Sequence, residues 1–235
     1  MPIRKPVLPM AVMVGLACIA ALPAAADTSD SQVMARLTQE RDAFIRRAGE
    51  EGYRVCPAPK IELSDPASFG GFDPDSNSVQ VATWSRLAPE RRERFEKLAE
   101  HTGGHSTAEG MFADGTYGWV FVHELAHWWQ SCRQVTRPRS YGAEDGANRI
   151  ALAFWREHDP AFAARTLETF RYLQGAIPSP VPAGMAKQAY LDDHFLAIAQ
   201  SRGYTWYQAD MIVELAGETP VPSFHKALSQ PLYPW

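Results

Sequence analysis

The sequence lacks several features that mark common classes of protein. Acidic residues outnumber basic ones, 27 against 23, and the formal net charge is −4. The chain therefore lacks the positive charge expected of a protein that binds nucleic acid or an anionic membrane surface. It has no internal repeat, which excludes a solenoid or a propeller. After the N-terminal segment, no apolar run is long enough to span a membrane.

Cysteine is scarce, with three residues in a chain of 235. Cys18 lies in the apolar N-terminal segment, so Cys56 and Cys132 are left for the rest of the chain. In an oxidising compartment such a pair is expected to form a disulfide, and two separate buried thiols are the alternative. We expect the Cys56–Cys132 bond because the N-terminus indicates export.

The first 26 residues have the organisation of a signal peptide. Arg4 and Lys5 precede an apolar run over residues 7–22, and three alanines at 24–26 supply the small residues of a cleavage site. An uncleaved membrane anchor is the alternative, but Pro9 interrupts the run, which is short for a bilayer span. The sequence predicts cleavage after residue 26 and export to the periplasm or the exterior. No stable membrane insertion is expected after cleavage.

Residues 27–235 predict a single α+β domain, with a sheet in the part up to about residue 117 and helices over 118–235. Residues 72–83 predict a turn and then a strand, with Val79 and Val81 on one face. The stretch 101–118 is rich in Gly, Ser and Thr and predicts a loop. Hydrophobic periodicity predicts helices over residues 30–52, 88–100, 118–132, 143–157, 160–174, 185–201 and 204–216.

The segment GWVFVHELAHWWQSC, residues 118–132, is apolar at nearly every position around a helix, which predicts a buried helix. His123 and His127 lie one turn apart on one face of it and can share one zinc ion. Glu124 lies beside them, where it could accept a proton from metal-bound water. A divalent cation would compensate polar groups that are otherwise costly to bury. Two core histidines with ordinary hydrogen bonds are the alternative.

A catalytic zinc site needs a third protein ligand and keeps a fourth position open for water. The pattern HExxHxxGxxH is absent, because Gln130 and Arg133 stand where Gly and His are required. The next helical segment offers Glu144, seventeen residues after His127. Asp145 is a rival ligand, about 100° away around the helix. A solvated acidic pair at a helix N-terminus is the alternative for both.

From Trp119 to Asn148 the chain resembles the gluzincin zinc metallopeptidases, which carry HExxH on one helix and ExxA or ExxxD on a following one. It is also similar to small bacterial metallopeptidase-like families with an E-x-x-A-[ND] helix. The matching residues are His123-Glu124-Leu125-Ala126-His127 and Glu144-Asp145-Gly146-Ala147-Asn148. The resemblance implies a zincin-like, mostly helical fold with a small N-terminal sheet beside a buried HExxH helix.

The resemblance also implies roles for individual residues. His123, His127 and Glu144 would bind Zn2+, and Glu124 would be the general base. Asn148 falls where the family often has an aspartate that orients a ligand histidine. Its amide oxygen can still accept an imidazole N–H, though without a negative charge.

The function implied by the resemblance is that of an exported zinc metallopeptidase acting on a peptide or protein substrate. The peptide is expected to lie antiparallel against the strand at Ser78–Thr83 as an additional strand. In gluzincins the donor that stabilises the oxyanion comes from the C-terminal part, where Tyr204, Tyr207 and His194 are candidates. The alternative is a zinc-containing module that binds a protein or cell-wall component with weak or no hydrolysis.

Overall fold

The computed structural model describes residues 29–66, 68–101, 106–133 and 139–229. The fold is α+β and mostly helical with a small three-stranded sheet, as the sequence predicts. The strands are β1 (Lys60–Ser64), β2 (Gly70–Asp73) and β3 (Ser78–Ala82). The helices are α1 (Asp30–Glu50), α2 (Pro89–His101), α3 (Ala108–Phe112), α4 (Phe121–Arg133), α5 (Tyr141–His158), α6 (Pro160–Ala176), α7 (Lys187–Ala199), α8 (Arg202–Ala216) and α9 (Phe224–Ser229).

Helices α1, α2 and α5 to α8 match the predicted ones, with ends displaced by two residues or fewer. The predicted signal peptide lies outside the described residues. Within the described part of the chain, none of the helices is long and apolar enough to cross a membrane.

Helix α1 begins at a capping box, in which the Ser29 hydroxyl accepts the Gln32 backbone N–H and the Gln32 side chain accepts that of Ser29. These bonds satisfy two of the backbone donors that a helix N-terminus leaves unpaired. Val33, Leu37 and Phe44 recur on one face and are buried. This face packs against α4 and supports one side of it.

The sheet has the strand order β1-β3-β2, with β1 parallel and β2 antiparallel to β3. Val79 and Val81 are fully buried, as predicted, and Ser78 is buried with them. The expectation that a peptide pairs with the strand at Ser78–Thr83 is wrong, because β1 and β2 already occupy both edges of β3. The edge strand beside α4 is β2. It has only four residues, two of them glycine, and its sequence lacks the alternation of apolar and polar residues that predicts a strand.

The prediction of a loop over residues 101–118 is wrong from Ala108 onwards. His101 ends α2, and residues 102–105 are not described. Helix α3 begins at Ala108 and is followed by a π-helical segment, Ala113–Val120, which runs directly into α4. Gly118 suggested a loop, yet it allows close packing of this segment on α6. A Cβ atom there would lie 2.4 Å from Cζ of Phe162.

One hydrophobic core extends from α1 through the sheet and α4 to α5, α6 and α9. Its largest members include Trp128, Trp129 and Phe154, which are almost completely buried. A second buried cluster joins α5 to α7 and α8 through residues that include Tyr141 and Leu191. Together the two clusters hold α5 against both α4 and α8.

Cys56 and Cys132 form a disulfide, which confirms the predicted pairing. Their Cα atoms are 6.1 Å apart. The bond joins the segment before β1 to the last turn of α4.

Candidate metal centre

The three predicted metal ligands lie on two packed helices. His123 and His127 are on α4, and Glu144 is in the first turn of α5. Helix α5 begins at Ser140, whose hydroxyl accepts the backbone N–H of Ala143. This cap fixes the start of α5, so that Glu144 faces α4. Small buried residues on α5 let it approach α4 closely. His123 and Glu144 are only 5% and 4% exposed.

The metal-binding atoms of these side chains converge. His123 Nε2 lies 3.0 Å from His127 Nε2 and 3.2 Å from Glu144 Oε2. His127 Nε2 lies 3.6 Å from Glu144 Oε1. In a tetrahedral zinc site with bonds of about 2.0–2.1 Å, the donor atoms are roughly 3.3–3.4 Å apart. The observed separations bracket this value, so the two histidine nitrogens and the carboxylate of Glu144 fit around one ion of that size.

The hydrogen bonds of Gln130 determine which nitrogen of His127 carries the proton. The side-chain NH2 group of Gln130 donates to the carbonyl of Ala143, at 2.9 Å, and a carbonyl can only accept. Gln130 Oε1 therefore faces His127 Nδ1, also at 2.9 Å. Because an amide oxygen cannot donate, Nδ1 carries the hydrogen, and the neutral ring directs its Nε2 lone pair towards Glu144.

His123 is arranged in the same way. Its Nδ1 lies 2.9 Å from Oδ1 of Asn148, the residue that the resemblance places next to a ligand histidine. This ring therefore also donates from Nδ1 and directs its Nε2 lone pair inwards. Two nitrogen lone pairs and a carboxylate thus face one another inside the protein. Such a group requires a cation, which is a metal ion or a proton.

The pKa values of this group show how strongly it holds a positive charge. Burial is the largest influence on His127 and lowers its pKa. The charge of Glu144 and its hydrogen bond, the charge of Glu124 and a hydrogen bond to Gln130 outweigh burial and raise the pKa to about 9. Burial likewise acts to raise the pKa of Glu144, yet His127 and His123 hold it well below its usual range. A metal ion must displace this proton in order to bind.

Glu124 follows His123 on α4 and contacts the edge strand β2. Its Oε2 accepts the backbone N–H of Phe72 on β2, at 2.8 Å. The strand comes this close because residue 70 is glycine. A Cβ atom on Gly70 would lie 2.4 Å from Cγ1 of Val120 and 3.4 Å from Cγ of Glu124. The carboxylate of Glu124, which is not one of the three converging groups, therefore lies against β2.

Of the three candidates for an oxyanion-stabilising donor, Tyr204 reaches the centre. Its hydroxyl donates to Oε2 of Glu144 at 2.7 Å. Burial, followed by the charges of Glu144 and Glu124, raises the pKa of Tyr204 well above its usual value. The hydroxyl therefore stays protonated and can donate a hydrogen bond.

The other two candidates have partners elsewhere. Tyr207 is fully buried, and its hydroxyl donates to the backbone carbonyl of Lys187 at 2.9 Å. His194 is exposed, and its ring stacks on Tyr190 and lies 3.0 Å from the carbonyl oxygen of that residue.

The rival third ligand, Asp145, does not join the cluster. It pairs with Arg149, at 3.6 Å, on the same helix. Burial raises the pKa of Asp145 in spite of this partner. Glu144 is the acidic residue of the pair that faces the two histidines.

Sequence reasoning missed two glutamines of the centre. Gln130 follows His127 by three residues, and this helical spacing was a usable signal for a side-chain contact. Gln208 on α8 donates to Oε2 of Glu144 at 2.8 Å from a position 64 residues further along the chain. No local pattern in the sequence links these two positions.

Comparisons of this chain with protein-family models, with curated proteins and with solved structures give no match. The geometry and chemistry of the residues themselves therefore carry the functional argument.

Proposed function

We propose that the protein is a zinc-dependent metallopeptidase with a zincin-like fold. The observation that carries this proposal is the convergence of the His123 and His127 nitrogen lone pairs with the carboxylate of Glu144. The carboxylate of Glu124 lies nearby and is not one of these three proposed ligands. The resemblance of the HELAH and EDGAN segments to gluzincins agrees with it.

The donor set suits zinc. Two imidazole nitrogens from His123 and His127 and one oxygen from Glu144 form a ligand combination found in catalytic zinc sites, in which a fourth position stays open. Neutral imidazoles favour transition metals over calcium or magnesium, which prefer oxygen ligands. When bound, zinc would supply the Lewis acidity that makes water a nucleophile at neutral pH.

The position of Glu124 next to His123 and against β2 supports a role in the proton transfers of peptide hydrolysis. In the proposed reaction its carboxylate accepts the proton of the attacking water and delivers it to the leaving amine. A binding module would have no use for a base at this position. The hydrogen bond from Phe72 orients the carboxylate at the edge of the sheet.

The peptide would bind along β2 instead of β3. The backbone N–H of Phe72 points away from β3 and donates to Glu124. An extended chain would therefore pair with the other backbone groups of this edge of β2. A carbonyl held there would lie close to Glu124. Tyr204 is the candidate that could donate a hydrogen bond to the carbonyl oxygen as negative charge develops on it.

We also propose that the protein is exported. The Cys56–Cys132 disulfide supports export, because such bonds persist mainly in oxidising compartments. The basic, then apolar, then small-residue order of the N-terminus agrees with this destination.

The function is tested by zinc content and peptide cleavage measured on the same preparations. We expect Glu124→Gln to keep zinc and to lose cleavage of a mixed peptide library read by mass spectrometry. Glu144→Ala should lose zinc, whereas Asp145→Ala should keep it. Glu168→Gln, an exposed substitution of the same type on α6, is the control and should retain full cleavage.

Three outcomes would contradict parts of the proposal. Equal cleavage by Glu124→Gln and the unaltered protein would eliminate the mechanism. Stoichiometric zinc without cleavage of any peptide would favour the binding module instead. Absence of zinc from protein purified without chelator would leave two buried histidines with a structural role.

A further inference from the structure

Gln208 on α8 bridges two groups that the metal site depends on. Its Nε2 donates to Oε2 of Glu144 at 2.8 Å, and its Oε1 accepts from Nδ2 of Asn148 at 2.7 Å. Asn148 in turn meets Nδ1 of His123 at 2.9 Å. A continuous chain of hydrogen bonds thus runs from one proposed ligand to another through two amides.

Asn148 alone cannot determine the state of His123. Turning its amide over would present the NH2 group to Nδ1, and the ring would then carry its hydrogen on Nε2, where the metal must bind. An aspartate at this position would not have this ambiguity, because both of its oxygens accept. Some other group must therefore fix the orientation of Asn148.

We propose that Gln208 is a positioning residue that fixes the tautomer of His123 through Asn148. The carboxylate of Glu144 accepts only, so it orients the Gln208 amide with Nε2 towards itself and Oε1 towards Asn148. That oxygen takes up the NH2 group of Asn148 and leaves Oδ1 for His123. The Nε2 lone pair of His123 consequently faces the metal position.

The sulfur of Met211 favours the same orientation of the Asn148 amide. It lies 3.7 Å from Nδ2 of Asn148 and is a weak acceptor, so it also favours the NH2 group on that side. Gln208 makes the shorter contact and is the one connected to Glu144. The proposal rests on the metal site of the proposed function but does not require hydrolysis.

The test uses Gln208→Met, which keeps the length of the side chain and removes both hydrogen bonds. We expect its zinc affinity, measured by competition with a chelator, to fall by about 10- to 100-fold. In the metal-free protein, ring 15N chemical shifts should show His123 changing from the Nδ1–H form to a mixture. Gln188→Met, an exposed substitution on α7, is the matched control and should change neither result.

A double variant separates positioning from simple packing. Asn148→Asp combined with Gln208→Met should recover zinc affinity to within a few-fold of the unaltered protein, because a carboxylate accepts from Nδ1 in either orientation. Asn148→Asp alone should bind zinc more weakly, because its carboxylate would face Oε1 of Gln208.

Two results would overturn the role of Gln208: an unchanged tautomer in Gln208→Met, or a double variant that binds zinc as poorly as the single one. Thermal unfolding shows whether Gln208→Met is folded. If it is not, the zinc affinity of Asn148→Asp alone tests the role of Gln208. Tighter zinc binding by Asn148→Asp than by the unaltered protein would then refute the proposal. If the unaltered protein binds no zinc, the proposed function fails. The ring nitrogen shifts of His123 still decide the role of Gln208.

Discussion

The shared charge of His127 and Glu144 makes the stability of the metal-free protein depend on pH. The pKa of His127 is about 9 in the folded protein and 6.5 when unperturbed, so the folded state binds this proton more tightly than the unfolded state does. The resulting stabilisation is complete below pH 6.5 and is lost as the pH rises through about 9. Raising the pH over this window should therefore destabilise the metal-free protein.

The magnitude follows from the two pKa values. Each unit of pKa corresponds to about 1.4 kcal/mol, so the raised pKa of His127, to which Glu144 contributes most, should add about 3 kcal/mol to the free energy of unfolding. The His127 side chain is 19% exposed, so solvent screening removes only part of this. The interaction between His127 and Glu144 enters this free energy once, through the pKa of His127, and is not added again through the pKa of Glu144. For a urea m-value of about 2 kcal/mol/M, the unfolding midpoint should fall by roughly 1.5 M.

The assay is urea unfolding in the presence of a chelator, at about pH 6.5 and about pH 9.5, for the unaltered protein and for Glu144→Gln. Other groups titrate in this range, but they are common to both proteins. The difference between the two pH profiles therefore isolates the pair. Parallel profiles would refute the reasoning, because they would show that no proton is held between His127 and Glu144.

Three further predictions concern the disulfide, the edge strand and the N-terminus. Replacing Cys56 and Cys132 by serine should lower the free energy of unfolding by about 4 kcal/mol, measured in urea, and an unchanged value would contradict the loop-entropy argument. Gly70→Ala should push β2 away from Glu124 and lower cleavage about tenfold or more with zinc content unchanged, because its Cβ would lie 2.4 Å from the side chain of Val120 and 3.4 Å from that of Glu124. N-terminal sequencing of the exported protein should begin at Asp27, and an intact N-terminus would count against cleavage.

The helices were predictable because their signals are local. Apolar residues at helical spacing are a property of adjacent residues, and this spacing located α1 and α5 to α8 closely. The π-helical segment was missed because its glycines were interpreted as breakers. Gly118 is explained only by Phe162 on α6, which lies against it in the fold.

The place of β3 in the sheet could not be predicted, because pairing is a property of distant residues. Val79 and Val81 indicated a strand, but nothing in that segment shows that β1 and β2 cover both of its edges. The edge strand β2, with the sequence GGFD, is too short and too rich in glycine to alternate.

The centre was predictable to the extent that its residues lie on two adjacent helices. His123, His127 and Glu144 occur within 22 consecutive residues. Helical spacing placed the two histidines on one face of α4, and the resemblance to gluzincins pointed to Glu144 on the following helix. Tyr204 and Gln208 come from α8, whose position depends on packing of the whole chain. Only the structure distinguishes Tyr204, which contacts Glu144, from Tyr207 one turn further along.

The disulfide restricts how far the segment before β1 can move from α4. Phe72, Trp128 and the two cysteines of the Cys56–Cys132 bridge line a cavity of about 250 Å³. Because Cys56 is joined covalently to Cys132 in the last turn of α4, this wall of the cavity cannot open by separation of the two segments. The cavity is therefore held at a volume below the roughly 300 Å³ at which ligand pockets usually begin.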